Sequence, residues 1–505
     1  MRGLDYLGTF PSALKARRPL HLPQSITLHS AMSECITIRN LTAQPLSLEL
    51  LERYDVPDQR PSSGCSVSNI TSKVTNFLCD DDAPNHVQVG GKKDVNVRME
   101  PFTTHKTHIK SAERELNETL RLTFRGDGGG RWRIDTPTPG PESIRLHALN
   151  PDPKHEYSAM YFEDSRFLAL YEIPDLRCWM KYLLDSTSLS ALSIPGTHNS
   201  STHHKALPSV RCQAVSIREQ LENGIRSFDI RVQPVDPEGA KEEELNLVHG
   251  AFPISLTGAK KFRHLVDDVL EFLQTFPSET VIMSIKREGT GNATDEQLST
   301  ILKDHYTNPH QWWTQPHLPT LGQARGRIIL LRRFTLAEHL KHEWDGKGWG
   351  LNGEGAPYNK PHSHYGNFIG QDFCEVLEAK DIGKKIQYCL EHFERAGAAV
   401  TPLSGARPDG PLYLNVLSGA NFWKHGCWPE KIAAKVNPAV TAYLCQKHEI
   451  GGRCVEDSGR EFKGDGGVGI VICDWVGKDG DWDLVRCIVG MNSRLLLRQK
   501  GCGWR

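Results

Sequence analysis

LTGAKKFRHLVDDVLEFLQTFPSETVIMSI, residues 256–285, is the stretch whose reading decides the fold. Phe262, Leu265, Val266, Val269, Leu270 and Leu273 recur every three or four residues and predict one apolar face of a helix over Leu256–Phe276. A Pro-containing turn at Pro277 ends it, and the apolar run Val281-Ile282-Met283-Ser284-Ile285 follows at once as a buried strand. Similar runs recur on both sides. Upstream lie Leu192-Ser193-Ile194-Pro195-Gly196, Phe228-Asp229-Ile230-Arg231 and Leu245-Asn246-Leu247-Val248. Downstream lie Ile328–Leu331, Leu412–Val416 and Val468–Ile472. Strand, helix, strand in this order implies parallel pairing. About seven such strands over roughly 300 residues predict an α/β fold, a TIM-like β/α barrel with room for a distorted or incomplete one. In such barrels functional residues sit at C-terminal strand ends, and His198, Arg231, His249, Lys286, Arg333 and Asp474 all fall there.

The first third follows a different rhythm. Ile36–Arg39, Leu46–Leu50, Val95–Met99 and Leu120–Phe124 alternate with a period of two. Turn signals separate them at Gln44-Pro45, Gly90-Gly91 and Gly126–Gly130. This spacing predicts an antiparallel β-sandwich-like domain over residues 1–150. Pro137–Pro141 and the stretch 151–175 read as linker, and 176–505 as the barrel. Thr335–Gly370, rich in Gly, His, Trp and Asn, reads as a long loop over the barrel mouth.

Composition narrows the function classes. A formal net charge of -1 gives no electrostatic case for nucleic acid. Met1–Leu20 is broken by Asp5, Pro11, Lys15 and Arg17-Arg18, which argues against a secretory signal, and no apolar run reaches the length of a membrane span. A cytoplasmic or peripheral-membrane protein is expected. Thirteen Cys without a CxxC pair favour free thiols over a disulfide framework, and no zinc-ligand spacing stands out. His203-His204 and the pair His362, His364 read as loop histidines, and Trp312-Trp313 as core or rim packing.

Two imidazoles and a guanidinium at neighbouring strand ends suit cleavage of a phosphodiester. One His takes a proton, the other gives one, and the arginine holds the phosphate. The bland alternatives are a structural histidine at either position, Asp474 as a helix cap, and Lys286 and Arg333 as solvated charges.

Ser193–His198, Phe228–Arg231, Leu247–Gly250, Pro277–Lys286, Leu321–Arg327 and Val471–Trp475 together resemble the X region of phosphatidylinositol-specific phospholipases C, most nearly the bacterial single-barrel type. The resemblance covers about residues 175–497 and leaves the first third unmatched. It implies His198 as the base that deprotonates the inositol 2-hydroxyl, Asp474 as the carboxylate that orients it, and His249 as the acid that protonates the diacylglycerol oxygen. It implies Arg231 on the phosphate and Lys286, Arg333 and Asp372 on the inositol ring. Asp229 either orients Arg231 or meets the substrate directly. The expected products are inositol 1,2-cyclic phosphate and diacylglycerol, from phosphatidylinositol or its glycosylated forms. The expected partners are that headgroup and a membrane surface. An arginine at 231, where the animal enzymes carry a calcium-binding acid, implies metal independence and no cofactor. Two residues depart from the bacterial pattern: Asn199 replaces an Asp that charges the acid, and Cys374 replaces a ring-stacking Tyr. Those departures keep open a catalytically weak or inactive barrel that binds lipid or protein, beside a phosphodiesterase for another phospholipid.

Overall fold

The computed structural model describes residues 35–55, 88–172, 174–236, 243–356, 358–401, 410–449 and 464–500. The N-terminal segment read for a signal lies outside them. Residues from Cys35 onward fall in one compact unit.

The four alternating segments of the first third all form strands: Cys35–Asn40, Leu46–Asp55, Gln88–Met99 and Glu118–Gly126. They distribute over two five-stranded sheets whose inward residues, among them Ile38, Leu48, Leu122 and Phe124, share one apolar cluster. Gly90-Gly91, expected as a turn, lies inside Gln88–Met99, where the register with Leu46–Asp55 shifts. Pro137–Pro141 carries the chain from Arg131–Thr136 in one sheet to Ile144–Arg145 in the other, so it is not a tether.

The stretch 151–175 is not a linker. Tyr157–Phe162 and Phe167–Glu172 form an antiparallel pair, and the second strand runs parallel to Cys35–Asn40, so this sheet is mixed rather than antiparallel. The cause is visible in the period of two. Tyr157, Ala159, Tyr161, Leu168 and Leu170 enter the cluster between the sheets. Met160, Phe167, Ala169 and Tyr171 point the other way, into the barrel's core. A strand that serves two cores must be apolar on both faces, and so its sequence loses the alternation that reveals a strand.

The barrel sheet runs in the order Trp312–Trp313, Ile328–Arg332, Val281–Arg287, Ser227–Pro234, Ile194–Thr197, Ile470–Cys473, Leu412–Val416, Phe368–Asp372, Lys360–Tyr365. All neighbours are parallel except the last pair. The two ends of this order are not paired with each other, so the sheet stays open. Leu245–His249, expected as a parallel barrel strand, folds back antiparallel on Ser227–Pro234. Phe368–Asp372 takes a parallel place instead, within and just beyond the segment read as loop. The predicted helix covers Phe262–Thr275 only. Leu256 is 64% exposed, and Gly258 with φ 110° turns the chain before the helix begins. Gly196 is required where strands crowd: a Cβ there would stand 2.7 Å from both Ile472 Cδ1 and the Ser227 carbonyl oxygen. Trp312 and Trp313 are buried. No helix among the described residues is long and apolar enough to cross a membrane.

Candidate active site

Strand register assembles the site. Thr197 pairs with Cys473, so the next residues, His198 and Asp474, leave the sheet side by side. His198 Nδ1 stands 3.0 Å from Asp474 Oδ1. The register Arg231 with Lys286, and Ile285 with Arg332, brings Arg231, Lys286 and Arg333 to one edge. Arg231 donates to both oxygens of Asp229, at 2.9 and 2.7 Å, and to Glu288 at 2.5 Å. Glu288 also accepts from Lys286 Nζ at 3.2 Å and from the Gly250 backbone at 2.8 Å. Arg333 reaches Asp229 at 3.5 Å.

His198, Asn199, Asp229, Arg231, His249, Lys286, Arg333 and Asp372 all line one cavity of about 320 Å³. Asp474 does not line it; it lies behind His198, 2% exposed. The rings of His198 and His249 are 6.2 Å apart and nearly perpendicular. His249 Nδ1 donates to the Val210 carbonyl at 2.8 Å, which fixes the tautomer when the ring is neutral.

Electrostatics separate these groups. Burial works against charge on His198, but the Asp474 carboxylate overrides it and holds the imidazole well above its ordinary pKa. Burial likewise opposes the cation on His249, yet Cys212 and the Val210 carbonyl raise it. Asp229 pays a desolvation penalty, but Arg231 and Arg333 keep its carboxyl far below the usual range. Burial raises Asp372, partly countered by Lys385. Burial also pushes the Cys374 thiol up to about 11.

Asn199 sits in the left-handed region, φ 41°. Its Nδ2 is 3.0 Å from His198 Nε2 and can donate to it only while Nε2 carries no proton. Glu288 and Cys212 escaped sequence reading. Glu288 lies two residues past Lys286 on the same strand end, so the period of two could have flagged it. Cys212 arrives on a loop with no periodic signal. His362 and His364, expected in a loop, are exposed residues of the edge strand Lys360–Tyr365.

Comparison with known proteins bears on the family of the chain. The family model "Phosphatidylinositol-specific phospholipase C, X domain" matches residues 186–334. The 1-phosphatidylinositol phosphodiesterase of Listeria monocytogenes is 34% identical over 277 residues, 53% of this chain and 74% of that protein. The Staphylococcus aureus (strain Newman) protein of the same name is 28% identical over 31% of this chain, and the match spans only 50% of that relative. Among solved structures, the phosphatidylinositol-specific phospholipase C from Listeria monocytogenes covers 63% of this chain and 99% of its own, at 24% identity and TM-score 0.46. With about a third of residues identical across three quarters of a full-length relative, this chain belongs to the phosphatidylinositol-specific phospholipase C X-domain family.

Proposed function

We propose that this chain is a phospholipase C that cleaves phosphatidylinositol by attack of the inositol 2-hydroxyl on its own phosphate, giving inositol 1,2-cyclic phosphate and diacylglycerol. The observation that carries the reading is the pair of imidazoles in one cavity with Arg231, one backed by a carboxylate and the other by a carbonyl. Asp474 holds the Nδ1 proton of His198, so Nε2 faces the hydroxyl. The arriving hydroxyl replaces the Asn199 amide as the donor to Nε2. The vicinal hydroxyl is already positioned, so no bound water nucleophile is needed. His249 then delivers the Nε2 proton to the departing glycerol oxygen. A guanidinium has five N–H donors. Carboxylates take three on Arg231, leaving two for the phosphate.

The same cluster supports metal independence. Asp229 and Glu288 are both paired with Arg231, whose charge opposes a dication there. Lys286, Arg333 and Asp372 line the same cavity and on this reading meet the inositol ring. The lipid would be met at a surface. Phe252, three residues past His249, stacks on Phe422, ring centres 5.7 Å apart, and Phe422 packs against Trp423, which is 86% exposed. Aromatic side chains of this kind favour the headgroup region. The two N-terminal sheets form a sandwich-like accessory module on this reading.

Phosphatidylinositol vesicles incubated with the protein in excess chelator should yield inositol cyclic phosphate. No product with or without calcium refutes the activity, and product with calcium alone refutes metal independence.

A further inference from the structure

Cys212 transfers no proton in the reaction above, yet it lies among the proposed catalytic groups. It is fully buried. Its Sγ is 4.0 Å from His249 Nδ1 and 3.9 Å from Asn199 Nδ2. One ligating atom each from His198, Cys212 and Asp474 falls within 4.8 Å of the other two. A second observation points the same way. Asp474 gives Oδ1 to His198 and leaves Oδ2 buried without a partner among the described residues. A buried carboxylate oxygen with no donor is uncommon and costly, and a cation satisfies it.

The donor set is selective. Calcium and magnesium are held by oxygen ligands, whereas imidazole, thiolate and one carboxylate suit zinc. Three protein ligands with a fourth position open is a common zinc arrangement. Tetrahedral ligands at zinc bond lengths stand about 3.5 Å apart, so the trio must contract by about 1 Å. His198, its side chain 21% exposed on the cavity, gives the ion its approach.

We infer that His198, Cys212 and Asp474 form an inhibitory site for a soft divalent cation of the zinc type. Binding releases to solvent the Cys212 thiol proton and, where His198 is charged, one of its two imidazole protons. The ion takes an imidazole lone pair and draws Asp474 away from its orienting role. The inhibition rests on the assignment of His198 as base; the binding does not. This site differs from a catalytic metal site, because occupancy removes the base instead of activating a nucleophile.

Cobalt and zinc titrations of the full chain test it, beside the Cys212→Ser variant and, as a second check, Cys212→Ala with its fold verified by circular dichroism. Cobalt should produce a thiolate-to-metal charge-transfer band that zinc bleaches and that both variants lack. The variants are needed because the buried Cys445 and Cys487 sulfurs, 3.6 Å apart, are another soft pair. Saturating zinc should slow phosphatidylinositol cleavage by about 10²-fold or more, reversibly by chelator. In the variants the ratio of rates with and without zinc should move toward one. The absence of a band, a band retained in both folded variants, or a Cys212-dependent band with turnover indifferent to zinc each overturns the inference. A Cys212-dependent band in a protein that cleaves no phosphatidylinositol supports the metal site while the proposed activity fails.

Discussion

The barrel buries an arginine with a carboxylate at each end, and the two pairs are built differently. At the N-terminal ends of the strands, Arg226 meets Glu279 at 3.0 Å, both fully buried. Its remaining donors go to the carbonyls of Leu221, Ile225, Leu176 and Arg177. All five N–H groups are used. Glu279 in turn accepts from the Met180 backbone and the Ser278 hydroxyl. At the C-terminal ends, Arg231 lines a cavity, has two carboxylate partners and keeps two donors without a partner among the described residues. Saturated donors tie a structure together; donors in surplus wait for a ligand. Hydrogen-bond accounting, more than burial or charge, separates the structural pair from the one proposed to bind phosphate.

That contrast is open to attack from both sides. His249→Ala should lower phosphatidylinositol cleavage by about 10²–10⁴-fold, and His198→Ala likewise, with melting temperatures close to the parent's. Unfolding of either variant would put the mouth in the same class as the base. Glu279→Leu should do the reverse: denaturant titration should show a loss of about 3–5 kcal/mol, because Arg226 is left charged and buried, while turnover per folded molecule holds. Arg231→Lys keeps the charge but loses the planar fork, so turnover should fall about 10²-fold with little change in stability.

The smallest effect is a displacement in pH. Burial pushes His198 toward its neutral form, and Asp474 raises its pKa well above the ordinary value nonetheless. A base must be neutral, so the rate should climb as pH rises through that raised pKa. Asp474→Asn removes the raising charge, and the ascending limb of the pH–rate profile should move to lower pH. Stability has the opposite dependence. A raised folded pKa contributes stability below the unfolded value, and the contribution fades as pH climbs through the folded one. Thermal melts across that range should lose this slope in the variant; an unmoved rate limb would show that Asp474 does not set the charge of His198.

Strand ends carried most of what could be read in the sequence. His198, Arg231, Lys286 and Arg333 follow or end apolar runs of parallel strands, and register brings them to one cavity, which His249 reaches on an antiparallel strand instead. A segment that answers to two environments hides its structure from the sequence. Tyr157–Phe162 and Phe167–Glu172 serve two cores and so show no polar face. Leu245–His249 has the apolar look of a barrel strand but pairs antiparallel, a distinction that composition does not encode. Cys212 and the free oxygen of Asp474 meet only in three dimensions, across 262 positions of chain.

The left-handed backbone at Asn199 has one more consequence, for how the position tolerates change. Glycine, asparagine and aspartate occupy φ near 41° at little cost, and β-branched residues do not. The main chain therefore filters substitutions before chemistry judges them. A saturation library at this codon should retain a short, polar or glycine set. Within that set Asn199→Asp is a single-step replacement the backbone already accommodates, one that adds a negative charge beside His198 without remodelling the loop.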